Sequence, residues 1–231
     1  MKIGYCMMNS ELSLYEHLLR FPLFQGLSRT ELLQMAGQTK FGFQKMVADT
    51  VVVKEEQACD QLLFLISGSL LITTPSDTRS YSVTEHLSAP WLIQPESLFG
   101  AHPRYTSTIR TEAESHFILL SKDEVLRLLD DFLIFRLNYL NLLSTQLQRR
   151  GRWPWRNSPA TLRQRIIRFF LDHSTYPAGR KLFSILMNQL AQEVGDSRLD
   201  VSRVLNAMQA EGFIHLRRGQ IEIPSLELLL M

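Results

Sequence analysis

Cysteine is scarce in this sequence, and its scarcity excludes two classes of protein. Cys6 and Cys59 are the only cysteines among 231 residues, which is too few for a disulfide framework or a four-cysteine metal cluster. Such sparing use of cysteine is typical of proteins in the reducing cytosol, so we expect a cytoplasmic protein.

Long apolar segments are also missing. The N-terminus carries no apolar signal core, and charged residues interrupt the longer apolar stretches. We therefore predict neither a secretion signal nor a membrane span. The sequence has no internal repeat and no low-complexity segment either.

Catalytic motifs are a third absence. The sequence has no nucleophile elbow, phosphate-binding loop or zinc motif. A metal-dependent oxygenase needs two histidines and a carboxylate at one site, but His86, His102, His116 and Glu96 show no such spacing. We therefore expect no enzyme activity, no metal, no iron–sulfur cluster and no other cofactor. Haem ligation by one of the three histidines is the alternative that stays open.

The residues that are present suffice for two domains and distribute charge unevenly. Hydrophobic residues make up 45% of the chain. Residues 1–150 hold 14 Lys and Arg against 16 Asp and Glu, a balance of −2, whereas residues 151–231 hold 11 against 7, a balance of +4. Such a basic C-terminal part is what a DNA-binding domain requires.

The stretch Asn188–Gln209 predicts two short helices joined by a tight turn. An apolar stripe leads up to Val194, and Gly195 follows, where a helix commonly ends in a left-handed residue. Asp196 or Ser197 can cap the second helix. That helix would bury Val201, Val204, Leu205 and Met208.

The opposite face of the second helix is suited to DNA. Arginine can present two donors to guanine, and asparagine can pair with adenine in the major groove. The first helix would then brace the second across the DNA backbone. The alternative is an ordinary solvated helix of a small helical domain. The candidate DNA-binding residues of this helix and its cap are Ser197, Arg198, Leu199, Ser202, Arg203 and Asn206.

A basic hairpin follows the helix pair and favours the DNA interpretation. Phe213–Leu216 and Gln220–Ile223 are predicted strands around a tip that contains Arg217 and Arg218. A hairpin in this position is typical of a wing whose arginines contact backbone phosphates without reading sequence.

The first half of the chain begins with two short helices and continues in short strands. Glu11–Arg20 and Leu27–Gly37 are predicted helices, the second with a capping box between Ser28 and Glu31. Ser67-Gly68 predicts a tight hairpin. Eight closely spaced strands favour an antiparallel sandwich or barrel. They are predicted at Phe41–Val47, Thr50–Lys54, Leu62–Ile66, Ser69–Thr74, Tyr81–Leu87, Trp91–Gln94, Thr106–Thr111 and His116–Ser121.

A long helix connects the two halves. Helical periodicity begins at Lys122–Leu129 and continues as one predicted helix over Asp130–Arg149. A helix of this length cannot bury its whole apolar stripe against one small domain, which predicts a parallel coiled coil with a second copy. The alternative is a helix lying along its own barrel. The stripe comprises Phe132, Phe135, Tyr139, Leu142, Leu143 and Leu147.

A basic hinge follows the long helix. Gly151–Pro159 contains glycine and two prolines, and Ser158-Pro159 predicts the start of the next helix as a cap and first residue. We thus expect an effector domain at residues 1–129, a dimerisation helix at 130–150 and a DNA-binding domain at 151–231. The predicted fold class is α+β, with an antiparallel β-barrel of the jelly-roll type, a long helix and a winged helix-turn-helix.

This order of elements resembles the Crp/Fnr family of bacterial transcription regulators over nearly the whole chain. The turn pattern of the family, V-G-x-S-R-x-x-V-x-R-x-L, is matched at Val194–Leu205, and Phe21–Ser28, Ile66–Leu70 and Pro95–Gly100 resemble its barrel. The resemblance implies a homodimer on a palindromic promoter site whose DNA affinity an effector in the barrel modulates. RNA polymerase would be a further partner of an activator.

The resemblance also implies roles for particular residues. Arg198 and Arg203 match the arginines of the family that read guanine. Leu199 stands where the family usually has a glutamate that accepts from cytosine, so here only an apolar contact, for instance with a thymine methyl group, is expected.

The effector site resembles that of the family only in part. In members that bind cyclic AMP, a Gly-Glu pair and a later Arg-Ser/Thr pair hold ribose and phosphate. Pro95-Glu96 and Tyr105-Thr106 stand in these places, so the arginine that binds phosphate is missing and cyclic nucleotide is not expected. Arg104 or Arg110 could replace it. The resemblance thus implies an effector site at Glu96, Ser97, Arg104, Tyr105 and Thr106.

Two other functions compete with a DNA-binding regulator. A small-molecule sensor could use its helical domain to bind a protein partner, but that function predicts a less basic C-terminal face and no wing arginines. A barrel enzyme is disfavoured by the missing motifs.

Overall fold

The structure is a computed structural model that describes residues 14–151 and 159–230. Cys6, the predicted helix start at Glu11 and most of the predicted hinge at Gly151–Pro159 lie outside the described residues. Within the described ranges, no helix is both long and apolar enough to cross a membrane.

Two short helices lie immediately before the strands, and the second begins at a capping residue. A short 3-10 helix covers Pro22–Phe24, and helix α1 covers Arg29–Gln38. The predicted capping box is confirmed, because the Ser28 hydroxyl accepts from the backbone N–H of Glu31 while the Glu31 carboxylate accepts from that of Ser28. These hydrogen bonds lower the pKa of Glu31, since they favour its charged form.

Each of the eight predicted strands is present, and all pairings are antiparallel. Together with three later strands, β9 (Lys181–Ser184), β10 (His215–Arg217) and β11 (Gln220–Ile223), they form two sheets, in the orders β1-β8-β3-β6 and β10-β11-β9-β5-β4-β7-β2. The sheets are not closed, so the first domain is a sandwich-like pair of sheets and the predicted barrel closure is not observed. The strands are β1 (Gly42–Met46), β2 (Val51–Val53), β3 (Gln61–Ser67), β4 (Ser69–Pro75), β5 (Ser82–Ser88), β6 (Trp91–Ile93), β7 (Thr108–Thr111) and β8 (Ser115–Ser121).

The predicted hairpin at Ser67-Gly68 is wrong. Strands β3 and β4 belong to different sheets, so the chain crosses from one sheet to the other at Gly68. Gly68 has a φ of +100°, and a β-carbon there would come within 2.3 Å of the Ser115 hydroxyl oxygen. Glycine is therefore required here because the backbone comes close to Ser115 where the chain crosses between sheets. The Ser-Gly dipeptide alone does not show whether the chain makes such a crossing or a hairpin.

The helical connection consists of two helices, not one continuous helix from residue 130. Helix α2 covers Lys122–Asp131 and helix α3 covers Leu133–Gly151. Phe132 interrupts them because its backbone is extended (φ −121°, ψ 101°) and its ring is buried in the core of the sandwich. Below the break, Phe135 and Tyr139 also pack into this core. The prediction that these residues of the stripe pack against a second copy is therefore wrong, and this face of α3 lies along its own domain, as in the alternative interpretation.

The C-terminal domain has its own apolar core. Its first helix begins at Leu162 with Thr161 as the cap, so the predicted start at Ser158-Pro159 is wrong. The helix begins after Thr161 because Thr161 forms a capping box with Gln164. The elements are α4 (Leu162–Asp172), β9 (Lys181–Ser184), α5 (Met187–Val194), α6 (Arg198–Ala210), β10 (His215–Arg217), β11 (Gln220–Ile223) and a 3-10 helix at Leu226–Leu230.

One sheet runs through both domains. Strand β9 of the C-terminal domain pairs with β11 on one side and with β5 of the sandwich on the other. Tyr81, just before β5, and Val83 within it belong to the core of the C-terminal domain. The two domains are thus joined through the β4–β5 hairpin as well as through α3.

Candidate nucleic-acid interface

The turn between α5 and α6 has the geometry that its sequence predicts. Gly195 ends α5 in the left-handed conformation (φ +64°), and the N–H of Asp196 donates to the Ala191 carbonyl at 3.0 Å. Ser197 caps α6, because its hydroxyl accepts from the N–H of Asp200 at 3.1 Å. Local sequence therefore fixes the angle at which α6 leaves the turn.

Arg165 of α4 holds this turn from outside. Its Nε donates to the Val194 carbonyl at 3.0 Å, and its Nη2 forms an ion pair with Asp196. The guanidinium thus satisfies a carbonyl at the end of α5 and neutralises the carboxylate beside it. This role of Arg165 could not be predicted from the sequence, because nothing local links Arg165 to a turn about 30 residues further along the chain.

Helix α6 divides into a buried and an exposed face. Val201, Leu205 and Met208 are fully buried, while Val204, predicted to be buried as well, is only partly so. The other face carries the candidate DNA-binding residues. Arg198, Leu199, Arg203 and Asn206 are exposed, whereas Ser202 is half-buried.

Two of these polar side chains make hydrogen bonds within α6. Arg203 Nη1 donates to the Asp200 carboxylate at 3.1 Å, and Asn206 Nδ2 donates to the Ser202 carbonyl at 2.8 Å. The Arg203 side chain remains 70% exposed, and an ion pair so accessible to water is weak. Arg203 can therefore exchange Asp200 for a ligand at small cost.

The wing lies beside the end of α6. Strands β10 and β11 pair around Gly219, which has a φ of +71°, and both Arg217 and Arg218 are exposed. The Gln209 side chain of α6 accepts from the N–H of Leu216 at 2.6 Å and so ties the wing to the helix. Two basic side chains are thereby held at a defined distance from α6.

A bidentate ion pair supports the C-terminal end of α6. Arg163 of α4 donates to both carboxylate oxygens of Glu211, at 2.8 and 2.6 Å. The pairing lowers the pKa of Glu211 and raises that of Arg163. Helix α4 thus contacts α6 at its end and the turn at its start, through Arg163 and Arg165.

One residue of the predicted effector site, Thr106, is hydrogen-bonded to another side chain of the protein, that of Gln94. Gln94, in the left-handed conformation (φ +33°), donates from Nε2 to the hydroxyls of Thr106 and Ser107, both at 3.0 Å. Its Oε1 accepts from the N–H of Thr106, also at 3.0 Å. Of the five predicted effector residues, only Thr106 makes these contacts. Gln94 was not among the residues predicted from the sequence.

The space behind this loop is filled by aromatic rings. Tyr105 is buried and donates to the Gln61 carbonyl at 3.2 Å, and Tyr139 donates to the Pro95 carbonyl at 2.7 Å. Burial raises the pKa of both phenols and of the Cys59 thiol beside Tyr105. Tyr105 thus faces the core, while Ser97 is buried and Glu96 half-buried in the preceding 3-10 turn.

The arginines considered as replacements for the phosphate ligand lie elsewhere. Arg104 is exposed and donates to the Glu56 carbonyl at 2.6 Å, and Arg110 binds Asp49 at 2.9 Å. His86 and His116 pair with Glu112 and Glu114. In the part of the chain that the structure describes, no cluster of three or more His, Cys, Asp or Glu could hold a metal ion.

Comparisons with known proteins match both domains. Residues 43–132 match the model of the cyclic nucleotide-binding domain family, and residues 164–231 match that of the Crp-like helix-turn-helix domain family. No curated protein matches the chain.

Solved structures share the fold at low sequence identity. The catabolite activator protein of Thermus thermophilus is 22% identical (TM-score 0.52) over 91% of this chain and 97% of its own. The sensor domain of the regulator DNR from Pseudomonas aeruginosa is 21% identical (TM-score 0.52) over 61% of this chain and 92% of its own. A structure from Eubacterium rectale, described as a regulator of the Crp/Fnr family, is 21% identical (TM-score 0.49) over 90% of this chain and 97% of its own.

Proposed function

Because the chain belongs to the Crp/Fnr family of DNA-binding transcription regulators, we propose that it reads a palindromic promoter site as a homodimer. The observation that carries this proposal is the exposed face of α6, which presents Arg198 and Arg203 and is followed along the chain by a wing with two further exposed arginines. This family regulates transcription and is not a family of enzymes.

The proposed contacts divide into base readout and backbone contacts. Arg198 and Arg203 read guanine, Asn206 reads adenine, and Leu199, which is 62% exposed, contacts a thymine methyl group. Ser202, which is half-buried, lies between Leu199 and Arg203 on the same helix. Ser197, Arg217 and Arg218 contact phosphates. The preferred half-site therefore differs from one read with a glutamate in place of Leu199.

Helix α3 supports the proposal of a homodimer. Phe132, Phe135 and Tyr139 of the predicted stripe are buried in the protein's own sandwich. A second row on the outer face stays exposed, with intervals of four, three and seven residues, as the seam of a parallel coiled coil requires. We call this row the leucine seam. It consists of Leu133, Leu137, Leu140 and Leu147.

Modulation by an effector would require a ligand in the predicted site of the sandwich. A ligand in the family position must displace Gln94 from Thr106 and Ser107, and it meets the buried ring of Tyr105 where a phosphate-binding arginine would stand. We therefore propose that the protein binds DNA without cyclic nucleotide. If it activates transcription, RNA polymerase is its further partner.

The test is selection of bound duplexes from a random DNA pool at physiological salt without added ligand. We expect an inverted repeat with half-sites about 34–36 Å apart, one helical turn. Arg203→Ala should lose roughly 1–3 kcal/mol of binding free energy on that site and relax base preference at one position.

Arg79→Ala is the matched control. Arg79 is an arginine of the sandwich that pairs with Glu55, and its side chain is 70% exposed, as is that of Arg203. It should leave both affinity and sequence preference unchanged. An equal loss on all duplexes for Arg203→Ala would mean that Arg203 contacts only phosphate. No enriched repeat at all would contradict the proposed function.

A further inference from the structure

The junction between the two domains is a registered strand pairing. Ser82, Val83, Thr84 and Glu85 of β5 lie opposite Ser184, Phe183, Leu182 and Lys181 of β9. Strand β9 in turn pairs with the wing strand β11. The position of the C-terminal domain is therefore tied, strand by strand, to the β4–β5 hairpin of the sandwich.

The last pair of this register is a buried ion pair. Lys181 Nζ lies 2.9 Å from Glu85 Oε1, and the two side chains are 0% and 2% exposed. The flanking cross-strand neighbours are the buried Ile72 on β4 and Ile223 on β11. In such surroundings each charge depends on the other, because neither can reach water.

Glu85 also holds the loop that precedes β9. The N–H of Thr175 donates to both carboxylate oxygens at 3.0 Å, and the N–H of Tyr176 approaches Oε1 at 3.4 Å. One carboxylate thus joins a lysine and a loop of the C-terminal domain to the sandwich.

A second polar contact lies at the other end of the junction. The Tyr81 hydroxyl is 3.0 Å from His173 Nε2, while His173 Nδ1 is 2.8 Å from the Phe169 carbonyl. Because a carbonyl can only accept, Nδ1 carries the proton and Nε2 of a neutral ring accepts from Tyr81. Val83 packs into the same core between these two contacts.

We propose that Glu85 and Lys181 form a latch that holds the winged-helix domain against the sandwich in one orientation. Slipping β9 by one residue against β5 would place the two charged side chains on opposite faces of the sheet, so the pair selects a single alignment. The β4–β5 hairpin then sets the direction of α6 without any ligand. The latch affects DNA binding only if α6 reads DNA, and in this respect it rests on the proposed function.

A buried ion pair responds to single and double substitutions differently from an apolar contact. Removing one charge leaves the other buried and unpaired in the docked form, whereas water hydrates it once the domains separate. Lys181→Met alone should therefore open the junction. Lys181→Met with Glu85→Gln should close it again, because glutamine is neutral and its oxygen still accepts from the loop N–H groups.

The experiment measures docking by disulfide formation in the full chain. In a Cys6→Ser background, Ser82→Cys and Ser184→Cys place two thiols at directly opposed positions, where antiparallel Cα atoms are about 4.5–5.5 Å apart, as a disulfide requires. Intramolecular bond formation, with copper–phenanthroline as oxidant, is followed by mass spectrometry. The matched control pairs Ser184→Cys with Ser88→Cys, six residues further along β5 and roughly 20 Å away.

We expect the opposed pair to oxidise at least about 10-fold faster than the distant pair. Lys181→Met should slow the opposed pair about 10-fold or more, and Glu85→Gln should restore the rate in the double variant. Lys45→Met, which breaks the exposed Lys45–Glu114 pair, should change nothing. Equal rates for the two cysteine pairs, or a double variant as slow as Lys181→Met, would overturn the latch.

DNA binding gives a separate readout on the selected duplex. Affinity should fall about 10-fold in Lys181→Met and recover in the double variant. Because Lys181→Met also lowers the net charge by one, Lys45→Met, which lowers it equally away from the junction, is the charge control and should leave the affinity unchanged. Unchanged affinity in Lys181→Met, despite slowed oxidation, would refute control of α6 by the latch. A normal oxidation pattern in a protein that binds no DNA would instead refute the proposed function.

Discussion

Leu140→Ala tests the leucine seam most directly. Leu140 lies in the middle of the exposed row on α3 and is 53% exposed in the single chain. Complete burial of a leucine side chain contributes roughly 1.5–3 kcal/mol, so covering the exposed half contributes about 1 kcal/mol. A symmetric dimer buries two copies, so truncation should cost about 2 kcal/mol of association free energy, or roughly 30-fold in dissociation constant.

Sedimentation equilibrium over a wide concentration range measures this dissociation constant. The matched control is Leu126→Ala on α2, a leucine that is 44% exposed but lies off the seam. It should leave the dissociation constant unchanged while removing a similar apolar area. Equal dissociation constants for the two variants would refute the seam as the dimer contact, and a wild-type chain that stays monomeric throughout would refute the dimer itself.

Three further predictions follow from the same structure. Arg165→Ala leaves the Val194 carbonyl and Asp196 without their partner and should cost about 1–3 kcal/mol in urea unfolding, with Arg168→Ala as the comparison. Glu211→Gln should lower the free energy of unfolding near pH 7, and this loss should shrink as the pH falls below 4.5: the lowered pKa of Glu211 contributes stability above its ordinary 4.5, which is lost as the pH falls through the folded value. In a Cys6→Ser protein, Cys59 should react much more slowly with an alkylating reagent when folded than in urea, because it is buried and its pKa is raised; equal rates would contradict its burial.

Elements whose cause is local could be predicted from the sequence. The capping box at Ser28, the glycine end of α5 at Gly195 and the cap at Ser197 depend on residues within one helical turn. The period-two pattern located all eight strands, because alternation reflects which side chains face a core. The exposed face of α6 followed from its helical period for the same reason.

Features whose partners are distant in sequence were decided only by tertiary structure. The order of strands in the sheets shows that the chain crosses between sheets at Gly68, where a hairpin was predicted. The burial of Phe132 divides the helix that was predicted to be continuous. Gln94 was missed because its acceptors and donors lie twelve and thirteen residues away, in a loop that only the fold brings close. Packing also chose which leucines of α3 remain outside the core, since several faces of that helix are apolar.

The sequence by itself determined that a strand-rich domain precedes a helix-turn-helix with a basic face and a wing. It could do so because periodicity, helix caps and local charge depend only on residues that are near each other in the chain. Only the tertiary structure joined the two domains into one sheet. Glu85 and Lys181 are 96 positions apart in the sequence. They become a buried pair because β5 and β9 align side by side, and the sequence of neither strand shows which distant strand will pair with it.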